Sequence, residues 1–80
     1  MILKFKGSYG WRDVACGIKE ISETYDLIKQ DLKENYPHFK SYYTRAWMED
    51  GRLKFDVGDY ICFYYLELEE GETWDWKMEL

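Results

Sequence analysis

The chain has little of what most chemical machinery is built from: its 80 residues include one proline, one histidine and two cysteines. Cys16 and Cys62 lie far apart with no CxxC pair, so neither a disulfide framework nor a zinc cluster is written here, and both read as reduced thiols in or near a core. His38 follows Pro37 and has only Cys16 as a partner for nucleophilic chemistry; nothing orients that pair, and His38 reads as a loop residue. Gly7, Gly10 and Gly17 are spaced wrongly for a phosphate loop, and no Gly-Lys-Ser/Thr follows. Acids are plentiful, but their spacing has no specificity for glycoside or metal chemistry. A chain this short also lacks walls for a deep pocket. The expectation is a protein that is not an enzyme and uses no cofactor or metal.

Long apolar runs are missing too. The longest stretch free of charge and glycine, Tyr60 to Leu66, has seven residues, against about 18–20 for a membrane helix. Lys4 and Lys6 interrupt the N-terminal segment where a secretory signal needs an unbroken apolar stretch. A soluble, cytoplasmic protein is expected. Bases are outnumbered, 11 to 16, giving a net charge of −5 and a pI near 4.8, a poor start for gripping a polyanion or an anionic membrane. The imbalance is C-terminal: residues 1–45 hold eight bases and six acids, residues 46–80 three bases and ten acids. Its densest stretch is Glu67, Glu69, Glu70, Glu72 and Asp75, which reads either as a solvated edge and turn or as a surface for a basic partner.

What the chain does have is apolar and aromatic material: 46% hydrophobic residues and 20% aromatics, enough for one core in a single domain over residues 1–80. Ile2 to Lys6 reads as a short strand closed by a Gly7-Ser8-Tyr9-Gly10 turn. Val14, Ile18, Ile21, Tyr25, Ile28 and Leu32 then recur at steps of three and four, the stripe of an amphipathic helix. Asp13 can cap its start, although Gly17 marks a break or a later start. Asn35-Tyr36-Pro37 ends it, because the residue before proline avoids the helical region.

Phe39–Glu49, Arg52–Val57, Tyr60–Glu69 and Thr73–Leu80 read as four strands joined at Asp50-Gly51, Gly58-Asp59 and Glu70-Gly71. A two-residue turn at Asp50-Gly51 sets Arg45 opposite Asp56, Trp47 opposite Lys54 and Glu49 opposite Arg52, predicting two salt bridges around a cation–π pair. The other face carries Thr44, Ala46 and Met48 against Leu53, Phe55 and Val57, fit to receive the helix. Continuing through Gly58-Asp59 pairs Val57 with Tyr60, Phe55 with Cys62 and Leu53 with Tyr64, making Cys62 a core residue. The fold class is α+β: one amphipathic helix on an antiparallel meander, in the order β-α-β-β-β-β.

The same counting collects Trp47, Ile61, Phe63, Tyr65, Trp74, Trp76, Met78 and Leu80 on the face the helix cannot reach, with Tyr65 opposite Trp76. A bulge near Glu69-Glu70-Gly71 would instead turn Trp74 and Trp76 inward. Otherwise the face needs a homodimer or a foreign partner to cover it. Trp47, Phe63, Tyr65 and Trp76 beside Arg45, Arg52 and Lys54 also form a platform for unpaired bases, disfavoured by the acidic half that carries it.

In size, acidity, lack of catalytic residues and the Asp50-Gly51, Gly58-Asp59 meander ending in Trp74-Asp75-Trp76, the chain resembles small inhibitors encoded by phages and mobile elements, anti-CRISPR proteins in particular, and more distantly nuclease-immunity proteins. The resemblance is to a class and covers composition and architecture. It implies a non-catalytic protein that occludes a basic, nucleic-acid-handling partner such as a nuclease. A homodimeric accessory or regulatory protein is the main rival. Expected contact residues are the acids Glu67, Glu69, Glu70, Glu72 and Asp75, and the aromatic or apolar face of Trp47, Phe63, Tyr65, Trp74, Trp76 and Met78.

Overall fold

A computed structural model of the protein describes residues 1–37, 45–59 and 61–74. Among these residues one helix lies on an antiparallel sheet, the α+β class expected. The strands are β1 (Ile2–Gly7), β2 (Gly10–Ala15), β3 (Arg45–Glu49), β4 (Arg52–Asp56) and β5 (Phe63–Glu67), with helix α1 (Ser22–Asn35) between β2 and β3. Across the sheet they run β2-β1-β5-β4-β3.

Strand β2 is the departure from the expected order. Gly7-Ser8-Tyr9-Gly10 is a hairpin turn: Gly7 pairs with Gly10, Lys6 with Trp11 and Phe5 with Arg12, and Gly10 takes a φ of 114° that side chains resist. Val14 matches the helical stripe because a strand also delivers it to the core, against which it is half-buried. Gly17, at φ 70°, redirects the chain. The Ile18 N–H then donates to the Met1 carbonyl at 3.0 Å and the Met1 amine to the Ile18 carbonyl at 2.8 Å. The helix therefore starts at Ser22, and Asp13 lies on β2 instead of capping it. Its far end is as expected: the Tyr36 N–H closes on the Leu32 carbonyl at 2.8 Å, just before Pro37.

At Asp50-Gly51 both residues have positive φ, 52° and 76°, the geometry that matches hairpin twist. The register there is the expected one, Arg45 with Asp56, Trp47 with Lys54 and Glu49 with Arg52. The next joint is longer. Phe55 pairs with Tyr64 and Leu53 with Leu66, two residues beyond the expected partners, because Asp carboxylates stretch the turn: Asp56 accepts the Gly58 N–H at 2.8 Å, and Asp59 accepts those of Ile61 and Cys62 at 2.7 and 3.1 Å. A slip of two leaves every side chain on its original face. Cys62 still packs against the core, half-buried.

The edge of β5 that the sequence reading assigns to a final strand, Thr73–Leu80, is taken by another partner. That edge of β5 belongs to β1, with Lys4 opposite Tyr65 and Lys6 opposite Phe63. The core is built on one sheet face from Leu3, Phe5, Leu53, Phe55, Tyr64 and Leu66, covered by Ile18, Ile21, Ile28 and Leu32. Asp75, Trp76, Met78 and Leu80, like His38, Thr44 and Tyr60, lie outside the described residues. Among the described residues no helix is long and apolar enough to cross a membrane.

Candidate docking face

Alternation along the strands sends a second set of side chains to the face opposite α1: Lys4 and Lys6 from β1, Trp11 and Asp13 from β2, Arg45, Trp47 and Glu49 from β3, Arg52, Lys54 and Asp56 from β4, and Phe63, Tyr65 and Glu67 from β5. Cations and aromatic rings interleave there. Lys54 Nζ lies 4.1 Å from the Phe63 ring centroid and 5.7 Å from those of Trp47 and Tyr65. Arg45 sits 5.4 Å over Trp47, and Arg52 5.1 Å over Trp11. Trp11 and Tyr65 pack with centroids 5.0 Å apart at 51°.

Carboxylates neutralise most of these cations. Glu67 bonds Lys4 at 3.0 Å and Arg52 at 2.8 Å, and Asp56 faces Arg45 at 3.8 Å. Glu49 bonds Lys54 at 3.0 Å instead of the expected Arg52, which reaches across to Glu67. The Glu49–Lys54 hydrogen bond lowers the Glu49 pKa and raises that of Lys54. The face carries five bases (Lys4, Lys6, Arg45, Arg52, Lys54) and four acids (Asp13, Glu49, Asp56, Glu67), so the chain's excess acid lies elsewhere, on α1 and in the loops.

The nominated aromatic residues divide. Trp47 and Phe63 are half-buried on this face, whereas Tyr65 is only 7% exposed beneath Trp11 and the cations. Trp74 is on the other side, packed against the helix-facing core with its Nε1–H directed at the Gly51 carbonyl, 3.4 Å away. Trp76 and Met78 lie outside the described residues.

The nominated acids are largely engaged within the molecule. Glu67 serves Lys4 and Arg52. Glu69 and Glu72 hold the Met1 amine at 3.2 and 2.8 Å. Burial alone would lower the pKa of that amine; hydrogen bonds to Glu72 and Glu69 outweigh it and raise the pKa, and the amine in turn lowers that of Glu72. Glu70 is exposed with no ion pair among the described residues, and Asp75 is not among them. The acidic stretch is therefore mostly internal neutralisation, for which sequence spacing gives no sign.

Two features escaped the sequence reading. Trp11 was one; applying at Gly7-Ser8-Tyr9-Gly10 the two-residue count used at Asp50-Gly51 would have placed it beside Lys6. It is 47% exposed, and among the described residues Tyr9, Tyr36 and Ile61 are also exposed large apolar side chains. Tyr9, Trp11 and Tyr36 line a cleft of about 300 Å³ with Phe5, Arg12 and Cys62. Burial, then Asp59, pushes the Cys62 thiol pKa upward, away from a reactive thiolate.

The second is Asp31, 8% exposed on α1. Both Arg12 terminal nitrogens donate to it at 2.9 Å, the Tyr64 hydroxyl at 2.5 Å and Asn35 Nδ2 at 3.0 Å. Burial would raise the Asp31 pKa, but the bonds from Arg12 and Tyr64 prevail and lower it; burial and the carboxylate push Tyr64 well up. Tyr64 is fully buried, and the cluster ties β2 and β5 to α1. Among the described residues no cluster of His, Cys, Asp and Glu is placed to hold a metal.

Fold and face together define a small α+β domain with a helix on one side of its sheet and an aromatic–cation lattice on the other. No protein-family model, curated protein sequence or solved structure matches the chain.

Proposed function

We propose that the protein is a non-catalytic binding module that docks through its helix-free face onto a protein with a basic, nucleic-acid-handling surface and inhibits it by occlusion, in the manner of the phage and mobile-element inhibitors it resembles. The observation that carries this is segregation. Tryptophan and arginine, two of the residue types that dominate binding energy at protein interfaces, gather on one face as Trp11, Trp47, Arg45 and Arg52. Glu20, Glu23, Asp26 and Glu34 lie on or before α1, away from that face. The net charge of −5 draws the module toward a basic partner at long range, and on the face itself Glu49, Asp56 and Glu67 neutralise most of the cations while Asp13, without an ion pair among the described residues, keeps its charge for the partner. Once docked, its acidic back would face solvent and repel nucleic acid from the covered surface.

A second reading, binding of a single strand to the aromatic lattice, draws on the packing of Lys6 and Arg52 over Trp11. Against it, the carboxylates that neutralise Lys4, Arg45, Arg52 and Lys54 leave few cations for phosphate.

The test compares capture by immobilised wild type and by Phe63→Glu. Expected is retention by wild type alone of a protein whose nucleic-acid binding the module then competes away, with the circular dichroism of the variant unchanged. Equal capture by both, or submicromolar binding of wild type to a bare labelled single strand at physiological salt, would overturn the proposal.

A further inference from the structure

Among the described residues strand β2 ends the sheet, and its outer edge has a defined phase. Gly7 and Gly10 close a two-residue turn and Phe5 faces Arg12. The pair closing such a turn is hydrogen-bonded and the bonded pairs alternate, so the backbone groups of Gly10 and Arg12 turn inward to β1. Those of Trp11 and Asp13 turn outward. The strand is exposed from Gly10 to Asp13, and the register irregularity opposite Leu3 and Lys4 ends the regular edge just beyond. Two outward residues offer as many as four backbone hydrogen bonds to an added strand.

The side chains beside those groups specify the occupant. Trp11 and Asp13 both project onto the helix-free face, and Asp13 is the one acid of that face with no ion pair among the described residues. A second copy fits poorly: with the same face outward, antiparallel pairing of β2 with itself centred on Trp11 bonds Trp11 alone, because Asp13 then falls opposite the turn, and the registers centred on Arg12 and Asp13 set Arg12 against Arg12 or Asp13 against Asp13. Like charges directly opposite destabilise such pairs.

We infer that a short, extended, lysine- or arginine-bearing segment of a protein partner adds to β2, with a cation opposite Asp13 and the side chain two residues along lying beside Trp11. This rests on the docking reading and specifies how the partner engages one end of the face. The bulge sets the length: pairing covers about three residues before the ladder is lost.

The probes are three blocked heptapeptides: alternating threonine and lysine, the same with glutamate for lysine, and the lysine peptide N-methylated at alternate amides so that one edge cannot bond. Titrated into ¹⁵N-labelled protein, the lysine peptide should shift the Trp11 and Asp13 amides most. It should bind about tenfold more tightly than the glutamate peptide, and N-methylation of the pairing edge should abolish binding. Asp13→Lys, a change at an exposed side chain, should reverse the charge preference. Equal binding of the N-methylated peptide, shifts centred on Trp47 and Phe63, no binding at millimolar peptide, or the same β2 shifts with an oligonucleotide would each overturn the edge assignment. The two proposals separate in the capture assay. Loss of partner with Phe63→Glu but not with Asp13→Lys removes the edge and leaves the docking face standing, whereas indifference to both removes the docking reading.

Discussion

Lys54 shows how a single side chain organises the helix-free face. Its ammonium meets Glu49 at 3.0 Å and lies near three aromatic rings while its side chain is only 15% exposed. The Arg45–Asp56 pair is longer, at 3.8 Å, with Arg45 63% exposed. Double-mutant cycles should rank them accordingly, with Glu49→Gln and Lys54→Met giving the larger coupling and Arg45→Asp with Asp56→Arg the smaller. Equal couplings would show that the difference in geometry has no energetic weight. Asp31 behaves differently because it is buried. Its pKa in the folded chain lies below the ordinary 3.8, so its contribution is complete above that value and is lost as pH falls through the depressed one. Asp31→Asn should lower stability at pH 7 by about 2 kcal/mol, discounting for the partly exposed Arg12, and flatten the acid limb of stability against pH in urea titrations. An unchanged acid limb would remove Asp31 as its source.

At the scale of elements, β2 and the hairpins show what the sequence could and could not convey. The Asp50-Gly51 register was legible because turn type fixes pairing, and both residues bring the positive φ the turn needs. Gly58-Asp59 misled by two residues, since nothing in the dipeptide announces that Asp56 and Asp59 will capture backbone N–H groups; the even slip nevertheless kept Tyr64 inward and Phe63 outward. Strand β2 was hidden by period: Val14 and Ile18 continue the stripe of α1, and a strand and loop can satisfy the same positions. The Asp31 cluster joins residues distant in sequence and had no local signal. A direct check on β2 is Gly10→Ala, which forces a side chain into φ 114° with no steric neighbour to confuse the result. It should cost about 1–2 kcal/mol and selectively speed hydrogen exchange at the inward amide of Arg12, leaving that of Leu53 slow. Uniform acceleration across the sheet would show that β2 does not open separately.

For the whole molecule, the excess of acid and the aromatic face occupy different sides. Phe63→Glu should preserve the fold while removing whatever association wild type shows in sedimentation at high concentration; persistence of association would place the interface elsewhere. Glu70, the nominated acid without an ion pair among the described residues, should act on encounter alone: Glu70→Lys should slow partner association at low salt, with little effect on dissociation. A change confined to dissociation would make Glu70 a contact residue instead. The position of β1 has a further consequence, for the order of assembly. The β1–β2 and β3–β4 hairpins can each zip from a tight turn, but the sheet becomes continuous only when Ile2 finds Glu67 and Lys4 finds Tyr65. That seam encloses the helix and nearly the whole chain, so its closure bears most of the loop entropy and should limit the folding rate. Once formed, it also makes β1 the keystone of the sheet, so that a strand synthesised before the other four is among the last to reach its place.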